Sequence, residues 1–156
     1  MGCNIRQLLE NRRRLGHHRG NSVIELAIVL TILLSLSFGT VEFGYYFYVK
    51  NTLIGAAREG AREAITPTST NTTVTNAAKA VLTAAGMNSV NFTFTIRNSA
   101  DTADVDVTTV AEGTAILVKV YGSWGTVGVH ALSGPLGGIG SGKLVTGTAI
   151  MRKEAT

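Results

Sequence analysis

An α+β fold is predicted, with a long N-terminal helix that crosses a membrane and continues into a small extracytoplasmic antiparallel β-sheet domain. Three observations predict it. Leu26 to Val41 is an uninterrupted run without charge, as a helix in lipid requires. Beyond it Leu53, Ala56, Ala57, Gly60, Ala61 and Ala64 recur at helical spacing. After Gly86 the period becomes two, with Val90, Phe92, Phe94 and Ile96 alternating with polar residues.

Composition agrees. The 156 residues leave room for one small domain beyond the apolar segment. At 45% hydrophobic and 15% charged, the chain is apolar for a soluble protein and ordinary for a membrane-anchored one. Its pI near 9.5 would suit nucleic acid, but Arg6, Arg12, Arg13, Arg14 and Arg19 all precede Gly20, opposed only by Glu10. Without residues 1–20, Lys+Arg falls from 14 to 9 and Asp+Glu from 10 to 9, leaving a neutral remainder. The basicity is a topology signal, and no nucleic-acid partner is expected.

The elements follow in order. Residues 1–20 form a basic leader. The long helix covers 21–65 and spans the membrane over about 23–48, or about 39 Å at ~1.5 Å per residue, which exceeds a ~30 Å hydrocarbon layer. Phe43, Tyr45, Tyr46, Phe47 and Tyr48 form an aromatic belt and Lys50 ends it. The arginines keep the N-terminus in the cytoplasm and place residues 66–156, an α+β domain, outside. A secretory signal cut after Ser37–Phe38–Gly39 would have the small residues it needs, but the helical pattern runs on past Gly39.

Inside the span, Ala27, Thr31, Ser35 and Gly39 make a ridge of small residues along which another helix can pack. Pro67 disfavours helix at Thr66 and ends the long run. Thr66 to Thr75 reads as a connector. Asn76 is expected to cap a short helix over 77–85 that Gly86 stops. Four strands are predicted, around 90–96, 105–107, 114–121 and 144–151. A glycine-rich loop lies between Gly122 and Gly142. The sheet should cover the small-residue stripe of the long helix.

Chemistry-bearing patterns are few. Cys3 stands alone, which excludes an intrachain disulfide, and Arg6 spoils a myristoylation start. Gly137–Gly138–Ile139–Gly140–Ser141–Gly142–Lys143 is close to a P-loop, but Leu144 replaces the magnesium-binding hydroxyl and a strand follows instead of a helix. A flexible surface loop is expected there. His17, His18 and His130 lack companion ligands, and Asp101, Asp104 and Asp106 do not have EF-hand spacing. No catalytic set, metal site, cofactor or small-molecule substrate is expected. The sequons at Asn71 and Asn91 mean little if the source is bacterial.

Glu25, Val41–Glu42–Phe43–Gly44 and Ala56–Ala57–Arg58–Glu59–Gly60–Ala61–Arg62 lie at fixed spacing on one helix. The pattern resembles the TadE-like family, pseudopilins (minor pilins) of bacterial Tad/Flp tight-adherence pilus systems. The resemblance covers Gly20 to Ala64, under a third of the chain, with a looser likeness at Ala149 to Glu154. It implies a pilin-like subunit in the inner membrane and cleavage by a prepilin peptidase between Gly20 and Asn21. It further implies assembly through Glu25 with other pilins and the pilus assembly platform. Thr31 stands where many members have a kinking proline, so a straighter helix is implied. Leu26 and the large outer domain differ from major Flp pilins and point to a minor subunit. The alternative is an uncleaved single-pass anchor carrying an extracytoplasmic binding domain, with Glu25 an interfacial residue at the inner headgroups.

Overall fold

The protein is described from a computed structural model over residues 5–130 and 138–154, with side chains from residue 21 onward. Cys3, the side chains of His17 and His18, and Gly137 of the P-loop-like run lie outside the described residues. The chain divides into two compact units, Met1–Thr40 and Val41–Thr156, and helix α1 (Ile5–Ala64) runs through the boundary.

In the first unit the helix starts earlier than predicted, because the leader is helical from Ile5. Arginine, leucine, glutamine and glutamate dominate the leader and are good helix formers. A lone glycine costs only about 1 kcal/mol against alanine, so Gly20 does not interrupt it. From Asn21 to Thr40 no side chain is buried. The hydroxyls of Thr31, Ser35, Ser37 and Thr40 donate to the carbonyls four residues back, of Ala27, Thr31, Leu33 and Leu36, at 2.8–2.9 Å. Each polar group in the apolar run is thereby satisfied within the helix, which lipid demands.

In the second unit α1 presents one face to the protein. Val49, Leu53, Ala56, Ala57, Ala61 and Ala64 are fully buried, as the predicted stripe requires. The helix ends before Pro67, and Ser69 is buried with its hydroxyl donating to the Glu63 carbonyl at 2.6 Å. Helix α2 (Asn71–Ala84) is longer than predicted. Thr70, not Asn76, caps it in a reciprocal capping box with Thr73. The threonines of the expected connector supply that box and form the first turn. Gly86 takes φ +73° after the C-cap and turns the chain out, as expected.

A 3-10 turn over Ser89–Asn91 leads into an antiparallel sheet ordered β1-β2-β3: β1 (Thr93–Asn98), β2 (Ala115–Ser123) and β3 (Leu144–Arg152). The sheet has three strands where four were predicted. Val105–Val107 meets β1 only at its start, through the Arg97–Asp104 bridge and the bond from Val105 N–H to Ile96 O at 3.0 Å. It then turns to α2. There the Asn71 carboxamide donates to Val105 O at 3.1 Å and accepts from Val107 N–H at 2.9 Å. A side chain thus takes the place of a strand partner, and no ladder forms.

The inner face of the sheet packs with α1 and α2 into two buried clusters, one with Val120 and Val145 against Leu53, Ala57 and Leu82, the other with Ile96, Ile116 and Val118 against Ala61, Ala64 and Val74; the half-buried Ala149 touches both. Two glycines set the approach. A Cβ on Gly60 would sit 3.1 Å from a Val118 methyl, and one on Gly147 would sit 2.2 Å from the carbonyl carbon of Leu53. The middle of β3 therefore rests on the backbone of α1.

Candidate functional site

The residues singled out from sequence fall into three groups. The first is the segment from Asn21 to Thr40. Glu25 is exposed and forms no ion pair among the described residues. Ala27 and Thr31 are exposed, and Ser35 and Gly39 are half-buried. Val23, Ile24, Leu26, Ile28, Leu33 and Phe38 all project outward. Among the described residues this is one helix long and apolar enough to cross a membrane, suited to membrane anchoring.

The second group is Arg58, Glu59 and Arg62 on the side of α1 away from the core. Arg62 binds Glu59 one turn back, with Nε donating to Oε2 at 3.1 Å. That hydrogen bond holds the Glu59 carboxyl below its ordinary value. Gly60 faces the opposite way, into the core beside Ala78.

The third group is Glu42, Phe43 and Gly44. Phe43 is exposed, whereas Glu42 is 1% exposed. Helical geometry places Glu42 seven residues before Val49 and in phase with Leu53 and Ala56, so the core-facing stripe begins on a carboxylate. That register is legible in sequence, and it is the signal that the VEFG motif alone conceals. The cover comes from the glycine-rich segment. Ile139 N–H donates to Glu42 Oε1 at 2.7 Å, and a Cβ on Gly138 would lie 2.7 Å from both carboxylate oxygens.

Far from being free, the described part of this loop is docked. Trp124 N–H donates to Lys143 O at 2.7 Å, and Gly125 N–H and Ser123 Oγ donate to Ser141 O at 2.8 and 2.9 Å. β2 extends to Ser123 and a helical turn, α3 (Trp124–Val127), follows inside the expected loop. Trp124, fully buried, packs on Tyr45 and Tyr46 at ring-centroid distances of 6.0 and 5.4 Å. Sequence reasoning had no place for it. The aromatic cluster at Tyr45–Tyr46 therefore faces protein on one side, while Phe43, Phe47 and Tyr48 remain exposed. Leu144 opens β3 and not a helix, which removes the helix N-terminus a P-loop uses.

The outer face of the sheet holds a separate open hollow of about 460 Å³, lined by Thr95, Arg97, Lys119, Tyr121, Leu144 and Thr146. Its cations are already matched. Arg97 contacts Asp101 at 2.8 Å and Asp104 at 3.0 Å, and Lys119 contacts Asp101 at 2.7 Å. Lys119 and then Arg97 hold the Asp101 carboxyl below its usual range. No group of three or more metal-ligating side chains occurs among the described residues.

Residues 20–62 match the family described as TadE-like protein. The TadE-like segment thus begins at Gly20 and takes in Glu25, the small-residue ridge, Glu42 and the Arg58–Arg62 motif. It stops short of α2 and of the sheet. No curated protein and no solved structure gave a significant match.

Proposed function

We propose that the chain is a minor pilin (pseudopilin) of a Tad/Flp-type adhesive pilus, held in the bacterial inner membrane and assembled through its N-terminal helix. The observation that carries this reading is the coincidence of the TadE-like segment at 20–62 with Glu25 on an exposed apolar helix. A membrane helix seldom tolerates a carboxylate without a use for it. The reading is non-enzymatic. Its partners are the membrane, a prepilin peptidase, other pilins and the assembly platform.

Cleavage after Gly20 would free the α-amino group of Asn21, whose pKa in model peptides is about 7.7–8.0. Packed among helices in a filament, that cation needs a counter-charge, since burying it alone costs several kcal/mol. Glu25 of a neighbouring subunit supplies one. The ridge Ala27–Thr31–Ser35–Gly39 lets the helices approach, and its hydroxyls are already bonded within the helix and ask nothing of the neighbour.

In cells carrying the cognate peptidase, mass spectrometry of the membrane form should find Asn21 at the N-terminus. In the same cells Glu25→Ala should still insert and be cleaved, yet fail to enter pili, and Glu25→Asp should recover part of the piliation. Piliated, adherent Glu25→Ala cells would overturn the mechanism. An intact leader on the wild-type chain would favour the uncleaved single-pass anchor.

A further inference from the structure

Glu42 is the second carboxylate on the TadE-like helix, and its setting differs from that of Glu25 in every respect. It is buried to 1% exposure, and its cover is the backbone of Gly138 and Ile139. That cover is itself pinned to β2 and α3 through Ser141 and Lys143. We propose that Glu42 and the Gly138–Lys143 segment form a clasp that rests at the outer headgroup layer and ends the lipid-facing part of the helix at Val41.

Two features carry this. Polar loop backbone such as Gly138–Ser141 is not tolerated against hydrocarbon, so lipid tails cannot reach the helix face at the level of residue 42. What remains for lipid is Val23–Val41, about 28 Å at ~1.5 Å per residue, which matches a ~30 Å hydrocarbon core without the additional turns to Tyr48. Phe43, Phe47 and Tyr48 are exposed just beyond that limit, where aromatic side chains suit the interface. A Cβ at position 138 would come within 2.7 Å of both oxygens of Glu42, so a side chain there has to displace the carboxylate from the Ile139 amide. The clasp also assigns the two carboxylates different tasks, one between subunits and one within the chain. This second task holds whether or not the leader is cleaved.

The test uses the full chain with Cys3→Ser, reconstituted in phosphatidylcholine bilayers, so that it depends on neither pili nor peptidase. Nitroxides placed singly at Leu33, Phe38, Phe43 and Phe47 report depth by their relative accessibility to oxygen and to a polar nickel chelate. Leu33 and Phe38 should read as hydrocarbon, Phe43 as headgroup and Phe47 as shallower still. Trypsin cleavage after Lys143, an exposed residue inside the clasp, reports its closure. Glu42→Ala and Gly138→Ala should each speed that cleavage at least tenfold, with Glu42→Gln intermediate because it keeps an oxygen acceptor. Phe43 and Phe47 as deep as Leu33 would overturn the proposal. So would wild-type cleavage rates in both Glu42→Ala and Gly138→Ala.

Discussion

Gly147 shows how much one missing methyl decides. It lies in the middle of β3, where glycine is normally unfavourable. Yet a Cβ there would come within 2.2–2.5 Å of the Leu53 carbonyl carbon and oxygen and the Ile54 nitrogen. Backbone cannot yield as a flexible side chain can, so Gly147→Ala should cost about 3 kcal/mol, the upper end for overpacking, read as a shift in chemical denaturation midpoint. Asp101 works by charge. It adopts φ 55°, a conformation asparagine also accepts, and its carboxylate is bound by Lys119 and Arg97. Because its folded pKa lies below the ordinary value, the contribution is present above pH ~4. It is lost as pH falls further, through the folded value. Protection factors for amide exchange in residues 98–104, taken against the intrinsic rate at each pH, should therefore fall on acidification below pH 4 in the wild type. Asp101→Asn should remove most of that pH dependence, and a matching acid response in the variant would contradict the assignment.

Among the elements, α2 does more than pad the sheet. Its first residue, Asn71, takes both a carbonyl and an amide from the 105–107 segment. Tyr48 of α1 meanwhile donates to Ala85 O at the other end of α2, at 2.8 Å. Asn71→Ala should cost about 1–3 kcal/mol, because Val107 N–H loses its acceptor in a part-buried place. Asn71→Asp should cost less, since it keeps the acceptor for Val107 and gives up only the donor to Val105. Equal losses in the two variants would mean that the helix start, and not the carboxamide, is what matters.

At the scale of the molecule, arginines crowd before Gly20, whereas beyond it the charges balance. By the positive-inside rule the sheet domain should lie outside the cytoplasm. An alkaline phosphatase fused at the C-terminal end should be active in cells. A fusion that is inactive and protected in the cytoplasm would reverse the topology, and with it any role in an external pilus. The same asymmetry argues against a nucleic-acid surface, since the basic residues are concentrated in the leader and the rest of the chain is neutral.

The sequence by itself determined what depends on periodicity and composition. The uncharged run to Val41, the buried stripe from Leu53 to Ala64, the alternation at Phe92–Ile96 and the stop at Gly86 are local patterns that read directly as elements. Tertiary structure decided what depends on competition between partners. Val105–Val107 has a strand's composition, but Asn71, more than thirty residues earlier, captures its backbone, so no fourth strand forms. Thr70 outcompetes Asn76 as a cap because the preceding threonines close a capping box. Glycines 138 and 140 look like punctuation in a free loop. Only the fold brings Glu42 beneath Gly138 and Ile139, since a buried carboxylate must find hydrogen-bond donors wherever the chain can deliver them.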